Sequence, residues 1–314
     1  MTSQELRIGT RGSTLALYQA NWVKEKLIQV HPSLKVTLIK IKTTGDKIQD
    51  TPLAKIGGKG LFVKEIEETL IQKKIDLAVH SIKDVPTELP KGLHLSAITK
   101  REDPRDVFIS KDGALLKDLL QGAKVGTSSL RRQAQLLHFR SDFEIIPLRG
   151  NLDTRLKKLK TMNLDGIILA YAGMKRLGLE NKITEIIPTG ISLPAIGQGA
   201  LGIETRMDDE ETEERIRFLN DPSSAIVISA ERAFLKKLGG GCQVPIAAFG
   251  QIVGSTLQID GIVGTIDGKR LIHHHVEGTI EEAEWLGIEL ANFLLNKGAE
   301  EILEEVYKRS ETTK

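Results

Sequence analysis

The only cysteine in the 314-residue chain lies in the run Gly239-Gly240-Gly241-Cys242-Gln243-Val244-Pro245. The three glycines open backbone conformations with φ > 0 and close approach, and Pro245 stops a helix from running through. The thiol is therefore expected on an irregular loop rather than on a packing face. A lone cysteine is more often a small buried hydrophobe, and the loop setting counts against that here. One thiol cannot close an intrachain disulfide and is too few for a cysteine-built metal site. It is left as a single nucleophile or attachment point.

A second set of residues is cationic. Arg11, Arg131, Arg132, Arg149, Arg155 and Arg176 all read as lying at or just after strand-to-helix turns. In doubly wound sheets that edge is where ligands bind. A cation at a helix N-terminus is unfavourable by about 0.3–1 kcal/mol, so repeated placement there points to an anion. Free N–H groups at helix starts favour the same partner, and Arg adds bidentate recognition of carboxylate or phosphate. Any one such arginine ordinarily points into water; recurrence across several turns argues otherwise. Ser13, Thr127, Ser128 and Ser129 add hydroxyl donors, or cap helices, or both.

Asp84 is the best general acid/base. It follows the apolar strand Asp76-Leu77-Ala78-Val79-His80, stands beside Lys83 and precedes Pro86. The bland alternative is a solvated loop carboxylate. His80 is expected to be buried and structural. Lys55-Ile56-Gly57-Gly58-Lys59-Gly60 is basic and glycine-rich but lacks the P-loop spacing, and reads as a flexible surface loop. In His273-His274-His275 at most two rings share a strand face. A metal site there is set aside for want of carboxylate or cysteine partners.

Positioning these residues takes a recurring strand–turn–helix pattern. Strands are expected at Glu5 to Gly9, Val36 to Lys42, Asp76 to His80, Asp106 to Ile109, Lys124 to Gly126, Glu144 to Leu148 and Asp165 to Ala170. The turns are Thr10 to Ser13, Thr43 to Asp46 and the loop Ser81 to Pro86. Helices are expected with Ala16, Ala20, Val23 and Leu27 on one face, over Phe62 to Lys73, to about Phe139, around Asp153 and Arg155, and opening at Tyr171 to Arg176. This alternation argues α/β layers with mainly parallel strands. Lys100 to Arg105 and Ser192 to Ala195 read as crossings between domains, and Gly197 to Glu204 as a strand returning to the first. Pro222 separates two helices. Ala247 to Val253, Leu257 to Val263 and Arg270 to Val276 form an antiparallel sheet with a tight turn at Asp267-Gly268. Thr279 with Glu282 is a capping box for a helix to about Asn296. The expected domains are residues 1–100 with 198–220, residues 104–194, and a small α+β domain of residues 221–314.

The length suits two or three domains. At 40% hydrophobic and 27% charged residues, composition is that of a soluble globular protein. A net charge of +2 gives no field for a polyanion, so no nucleic-acid partner is expected and anion binding must come from local clustering. No apolar run approaches a membrane span, and the first residues lack a signal-peptide core. With one cysteine, this points to a reducing cytoplasm.

Five segments together resemble the porphobilinogen deaminase (hydroxymethylbilane synthase) family. They are His80-Ser81-Ile82-Lys83-Asp84-Val85-Pro86, Thr127-Ser128-Ser129-Leu130-Arg131-Arg132, Arg149-Gly150-Asn151, Gln198-Gly199-Ala200 and Gly240-Gly241-Cys242-Gln243-Val244-Pro245. The resemblance runs in one order from Arg7 to the C-terminal helices, and the ordered set is more specific than any member. It implies two doubly wound α/β domains related to type II periplasmic binding proteins, and a small C-terminal domain with a three-stranded antiparallel sheet. It implies a dipyrromethane cofactor made from substrate and joined by thioether to Cys242. Four porphobilinogen units would be added head to tail with loss of ammonia and released as linear hydroxymethylbilane. Asp84 with Lys83 is implied as catalytic. Cofactor or substrate binding is implied for Arg11, Ser13, Gln19, Asp46, Lys55, Lys59, Ser81, Thr127, Ser128, Ser129, Arg131, Arg132, Arg149, Arg155, Arg176 and Gln198, with Lys55 and Lys59 on a lid. A cytoplasmic monomer without metal, membrane or nucleic acid is expected. A non-catalytic small-anion binding protein would explain the arginines but not the cysteine loop or third domain. A phosphate-binding transferase would need a mononucleotide signature that is absent.

Overall fold

A computed structural model describes residues 5–47, 60–240 and 244–311. In chain order, β1 (Glu5–Arg11), α1 (Thr14–Val30), β2 (Lys35–Ile41), the single turn α2 (Thr44–Lys47), α3 (Lys64–Ile71), β3 (Leu77–Ser81) and β4 (Leu93–Ile98) come first. Then come β5 (Asp106–Ser110), β6 (Lys124–Gly126), α4 (Leu130–Phe139), β7 (Glu144–Ile146), α5 (Leu152–Thr161), β8 (Gly166–Ala170), α6 (Tyr171–Arg176) and β9 (Glu185–Ile186). The remainder is β10 (Leu201–Arg206), α7 (Glu210–Ile216), α8 (Pro222–Lys237), β11 (Ile246–Val253), β12 (Thr256–Gly264), β13 (Leu271–Thr279), α9 (Ala283–Leu294) and α10 (Glu300–Glu311). Of the described residues, 5–47, 60–102 and 199–225 form one compact unit, and 103–198, 226–240 and 244–311 a second.

The first unit holds a five-stranded sheet in the order β2-β1-β3-β10-β4. Strand parity sorts its two faces. Leu77, Val79, Leu201 and Ile203 pack with Ala20, Val23 and Leu27 of α1, while Ala78 packs with Ile66 and Leu70 of α3. Helix α1 starts where the Ser13 hydroxyl accepts from Ala16 N and stops at His31, as Pro32 requires.

The second unit repeats the plan with β7-β6-β8-β5-β9. Val107, Ile109, Ile167 and Leu169 serve one face; Phe108, Val125, Ile168 and Leu136 serve the other. The same unit carries the antiparallel sheet β11-β12-β13. Leu257, Ile259 and Val263 of that sheet pack with Phe234 of α8, Leu286 and Leu290 of α9 and Ile302 of α10. The fold class is therefore α/β with a small α+β C-terminal part, as expected. The capping box at Thr279 and Glu282 is present. Among the described residues no helix is long and apolar enough to cross a membrane.

Several local expectations change. Each five-stranded sheet is mixed: β10 is antiparallel to β3 and β4, and β5 to β8 and β9. The strands that enter from the other half of the chain run opposite to the rest, which periodicity does not reveal. β1 continues through Thr10 and Arg11, the Thr43–Asp46 turn becomes α2, and the Ser81–Pro86 loop contains a 3-10 turn, Ile82–Asp84. β10 begins only at Leu201, because Gly197 and Gly199 hold φ of 68° and 100°. A Cβ on Gly199 would also lie 2.3 Å from the Glu102 carbonyl oxygen. The helix read to Asn296 stops at Leu294, with Gly298 at φ 93° turning the chain into α10. α6 is only six residues long, so Arg176 ends it and does not sit at its start, where the sequence had placed it.

A Cβ at Gly166 would lie 2.0 Å from Cε2 of the fully buried Phe108. Gly166→Ala is expected to destabilise the chain by about 1–3 kcal/mol through overpacking, read as a lower urea midpoint at unchanged slope.

Candidate active site

The sequence-predicted residues fall into two groups, one on each compact unit; Lys55, Lys59 and Cys242 lie outside the described residues. On the first unit, Arg11 at the end of β1 forms an ion pair with Asp46, and its guanidinium lies 4.4 Å over the Phe62 ring. The Thr43 hydroxyl donates to the same carboxylate at 2.8 Å. Burial acts to raise the Asp46 pKa, but the Arg11 bonds and charge win and hold it below the usual carboxylate range. Asp46 is thus a positioning partner of Arg11. Gln19, on the buried stripe of α1, donates to Ser81 Oγ at 3.0 Å. One residue on, Ile82 N donates to Ala200 O at 3.1 Å and opens the 3-10 turn that carries Lys83 and Asp84. Asp84 is half-buried, and its carboxylate makes no hydrogen bond or ion pair to another described residue.

On the second unit, the helix start at Ser129 brings Arg131 and Arg132 inward. Both are buried, and both reach Asp106 at the first position of β5: Arg131 Nη1 to Oδ2 at 2.8 Å and Arg132 Nη2 to Oδ1 at 2.7 Å. Arg131 also donates to Leu193 O at 2.6 Å, and Arg132 Nη1 to Ile168 O at 3.0 Å. Gln198 Nε2 donates to Pro104 O at 2.6 Å and to Asp106 Oδ1 at 2.9 Å. Burial alone would raise the Asp106 pKa; the two guanidinium charges override it and hold the carboxyl far below its ordinary range. Burial lowers the pKa of Arg131, opposed by Asp106.

The turn hydroxyls divide. Thr127 Oγ1 accepts from Ser129 N at 3.2 Å, Ser129 makes no side-chain cap bond, and Asn151 caps α5 through Thr154 N. Arg155 Nε donates to Gly150 O at 2.9 Å. Arg149 is half-buried, and desolvation pushes its guanidinium below its usual range. Three donor atoms of this group, Ser128 Oγ, Arg132 Nε and Arg149 Nη1, are buried without a partner among the described residues. Orphaned buried donors are costly, and three of them within one anion-seeking set fit a polycarboxylate ligand.

The family of the chain follows from comparison with known proteins. The model of "Porphobilinogen deaminase, dipyromethane cofactor binding domain" matches residues 6–214, and that of "Porphobilinogen deaminase, C-terminal domain" matches residues 225–296. The chain belongs to the porphobilinogen deaminase family. Two relatives named porphobilinogen deaminase illustrate the closeness. The one from Geotalea uraniireducens is 58% identical over 98% of this chain and 97% of its own. The one from Trichlorobacter lovleyi is 56% identical over 98% and 99%. Among solved structures, the periplasmic aliphatic sulphonate binding protein SsuA from Escherichia coli aligns with a TM-score of 0.40 at 14% identity, covering 74% of this chain and 70% of that one.

Sequence reasoning missed Asp106, Glu231, Glu204 and Glu67. Glu231 of α8 is fully buried and accepts from Gly197 N at 2.7 Å and Gly250 N at 2.9 Å, fixing the segment that ends at Gln198. The available signal was a carboxylate inside or at the head of an apolar run, as in Asp106-Val107-Phe108-Ile109. The histidine run was set aside for want of a carboxylate, yet His273 and His275 both contact Asp260, at 3.0 and 3.2 Å. Among the described residues no group of three suits a metal ion.

Asp106→Asn removes the one charge between two buried guanidinium groups. The expected loss is about 3–5 kcal/mol, the scale for breaking a buried pair from one side. Chemical denaturation at neutral pH checks this, and a parent-like midpoint would show that Asp106 does not hold the pair.

Proposed function

We propose that this chain joins four porphobilinogen molecules head to tail with loss of ammonia and releases linear hydroxymethylbilane by hydrolysis. The observation that carries the activity is the family match along nearly the whole chain. Dipyrromethane, bound by thioether to Cys242, would supply the pyrrole end from which the product is built. Ser128, Arg132 and Arg149 would hold its acetate and propionate groups, since each has a buried donor atom left over. Arg131 and Gln198 support them through Asp106. Arg11, Arg155, Arg176, Lys55 and Lys59 would neutralise the carboxylates of incoming and added pyrroles, with Ser13, Gln19, Asp46, Ser81, Thr127 and Ser129 orienting the turns around them.

Asp84 carries the proton chemistry in this reading. Ammonia leaves only when protonated, and the methylene carbon left behind is electron-poor. A carboxyl group can donate the proton and then, as carboxylate, stabilise the developing cation. After coupling it can accept the α-proton, so one group returns to its starting state. Lys83 beside it is the second catalytic residue. The protein is proposed to work as a monomer in the cytoplasm, as a transferase of haem and porphyrin biosynthesis.

The intact mass of purified chain tests the attachment: it is expected to exceed the sequence mass by two linked pyrroles, and Cys242→Ser to lose both the adduct and turnover. An unmodified mass in active protein would overturn the assignment. For Asp84→Asn, turnover is expected to fall by about 10²–10⁴ while folding is kept. Steady-state assay with Ehrlich's reagent and a melting curve separate the two, and near-parent turnover would return Asp84 to a structural role.

A further inference from the structure

Between α3 and the sheet of the first unit lie three ionisable side chains that the reaction does not use. His80 Nε2 lies 2.9 Å from Glu204 Oε2, both side chains being buried. Parity puts them on the α3 face, two residues along from Ala78 and Gly202 respectively. Glu67 of α3 is buried on the same side. One carboxylate oxygen of Glu67 and one of Glu204 are buried with no hydrogen-bond partner among the described residues. Apolar side chains of similar volume would be as stable here or more so, so the cluster calls for another reason.

Its place supplies one. The His80–Glu204 contact ties β3 to β10 one residue before Ser81, and Ile82 N then bonds Ala200 O. The next residues are Lys83 and Asp84. We propose that His80, Glu204 and Glu67 are positioning residues: a buried cluster, with an exchangeable proton on Glu67, that locks β3 to β10 and so sets the turn carrying Asp84. This rests on the catalytic role proposed for Asp84.

The proton follows from burial. Glu67 has a carboxylate oxygen buried without a hydrogen-bond partner among the described residues, so in its ionised form it would be a poorly compensated buried anion. Burial first and the Glu204 charge second push the Glu67 carboxyl up to about 7, against the pull of His80. The other charged groups on the elements packed against α3 are engaged or outside. Arg206 of β10 donates to Leu70 O and Ile75 O and pairs with Asp209. Arg7 and Arg11 of β1 pair with Asp76 and Asp46, and Glu5 with Lys35. On α3 itself Glu65 accepts from Thr44 N, and Lys64 and Glu68 are exposed.

The sign follows by linkage. A carboxyl whose folded pKa is raised keeps a proton that the unfolded chain has lost, so it favours the folded state at low pH. That advantage is lost as pH rises through about 7. From pH 6 to 8 the folding constant of the parent should fall about tenfold more than that of Glu67→Gln, which cannot ionise. Urea unfolding of both proteins at pH 6, 7 and 8 reads this directly; it needs no substrate, so it stands independently of the activity. For positioning, the turnover of Glu67→Gln should persist to higher pH than the parent's. His80→Gln should lower kcat about tenfold or more with KM nearly unchanged, and move the loss of stability to higher pH. Identical pH dependence of stability in Glu67→Gln and parent would overturn the proton claim. Superimposable kcat–pH profiles for that pair would overturn the positioning role, whether or not His80→Gln folds.

Discussion

Two guanidinium groups cannot be buried side by side unless a charge between them offsets their repulsion and their desolvation, and Asp106 supplies that charge. Each of its oxygens takes one arginine, Ser192 donates to it at 3.2 Å, and Gln198 donates from the chain that leaves the unit. Four side chains from two stretches distant in sequence, residues 131–132 and 192–198, therefore meet on one carboxylate at the head of β5. The arginines are not spent by this. Arg132 keeps Nε unpaired among the described residues, so the ion pair holds the guanidinium plane while leaving one donor over, as the proposed binding role requires. A free arginine would have to be ordered when the ligand arrives; one fixed by Asp106 is ordered beforehand, which is where preorganised sites gain.

The first unit solves a different problem. In its proposed role, Asp84 has to be presented on a short turn without being consumed by neighbours. The turn is therefore fixed through its backbone and through residues before it: Gln19 on Ser81, Ala200 on Ile82. Arg11 is held the opposite way, by a direct ion pair to Asp46 and by the Phe62 ring. The groups proposed to bind anions and to transfer protons thus receive different support.

Much of this was legible in the chain. The unbroken apolar run Leu77-Ala78-Val79 and the helical spacing of Ala20, Val23 and Leu27 reflect burial directly, so β3 and α1 were read correctly. The capping box at Thr279 is a purely local bond and was read just as well. What was not legible depends on pairing partners far away. That β10 and β5 run antiparallel to their neighbours is a matter of chain routing, not of local pattern. Asp106 reads as a polar residue leading into a strand until the two arginines are brought to it. Arg176 was placed at a helix start because a strand preceded it; only the brevity of α6 puts it at the end. Lys55, Lys59 and Cys242 lie outside the described residues, so for them the sequence argument and the family stand alone.

The order β2-β1-β3-β10-β4 also has a consequence for synthesis. β3 and β4 are both in hand by Ile98, yet the strand that joins them is Leu201–Arg206, more than one hundred residues later. A ribosome that has made the first unit's opening stretch has made a sheet with a gap, and for that interval two strand edges stand open, the situation that invites pairing with another chain. The second five-stranded sheet is complete by Ile186 and faces no such wait. The sheet in the middle of the chain thus has all its strands synthesised before the first sheet does, and β10 arrives as the last strand of the oldest sheet.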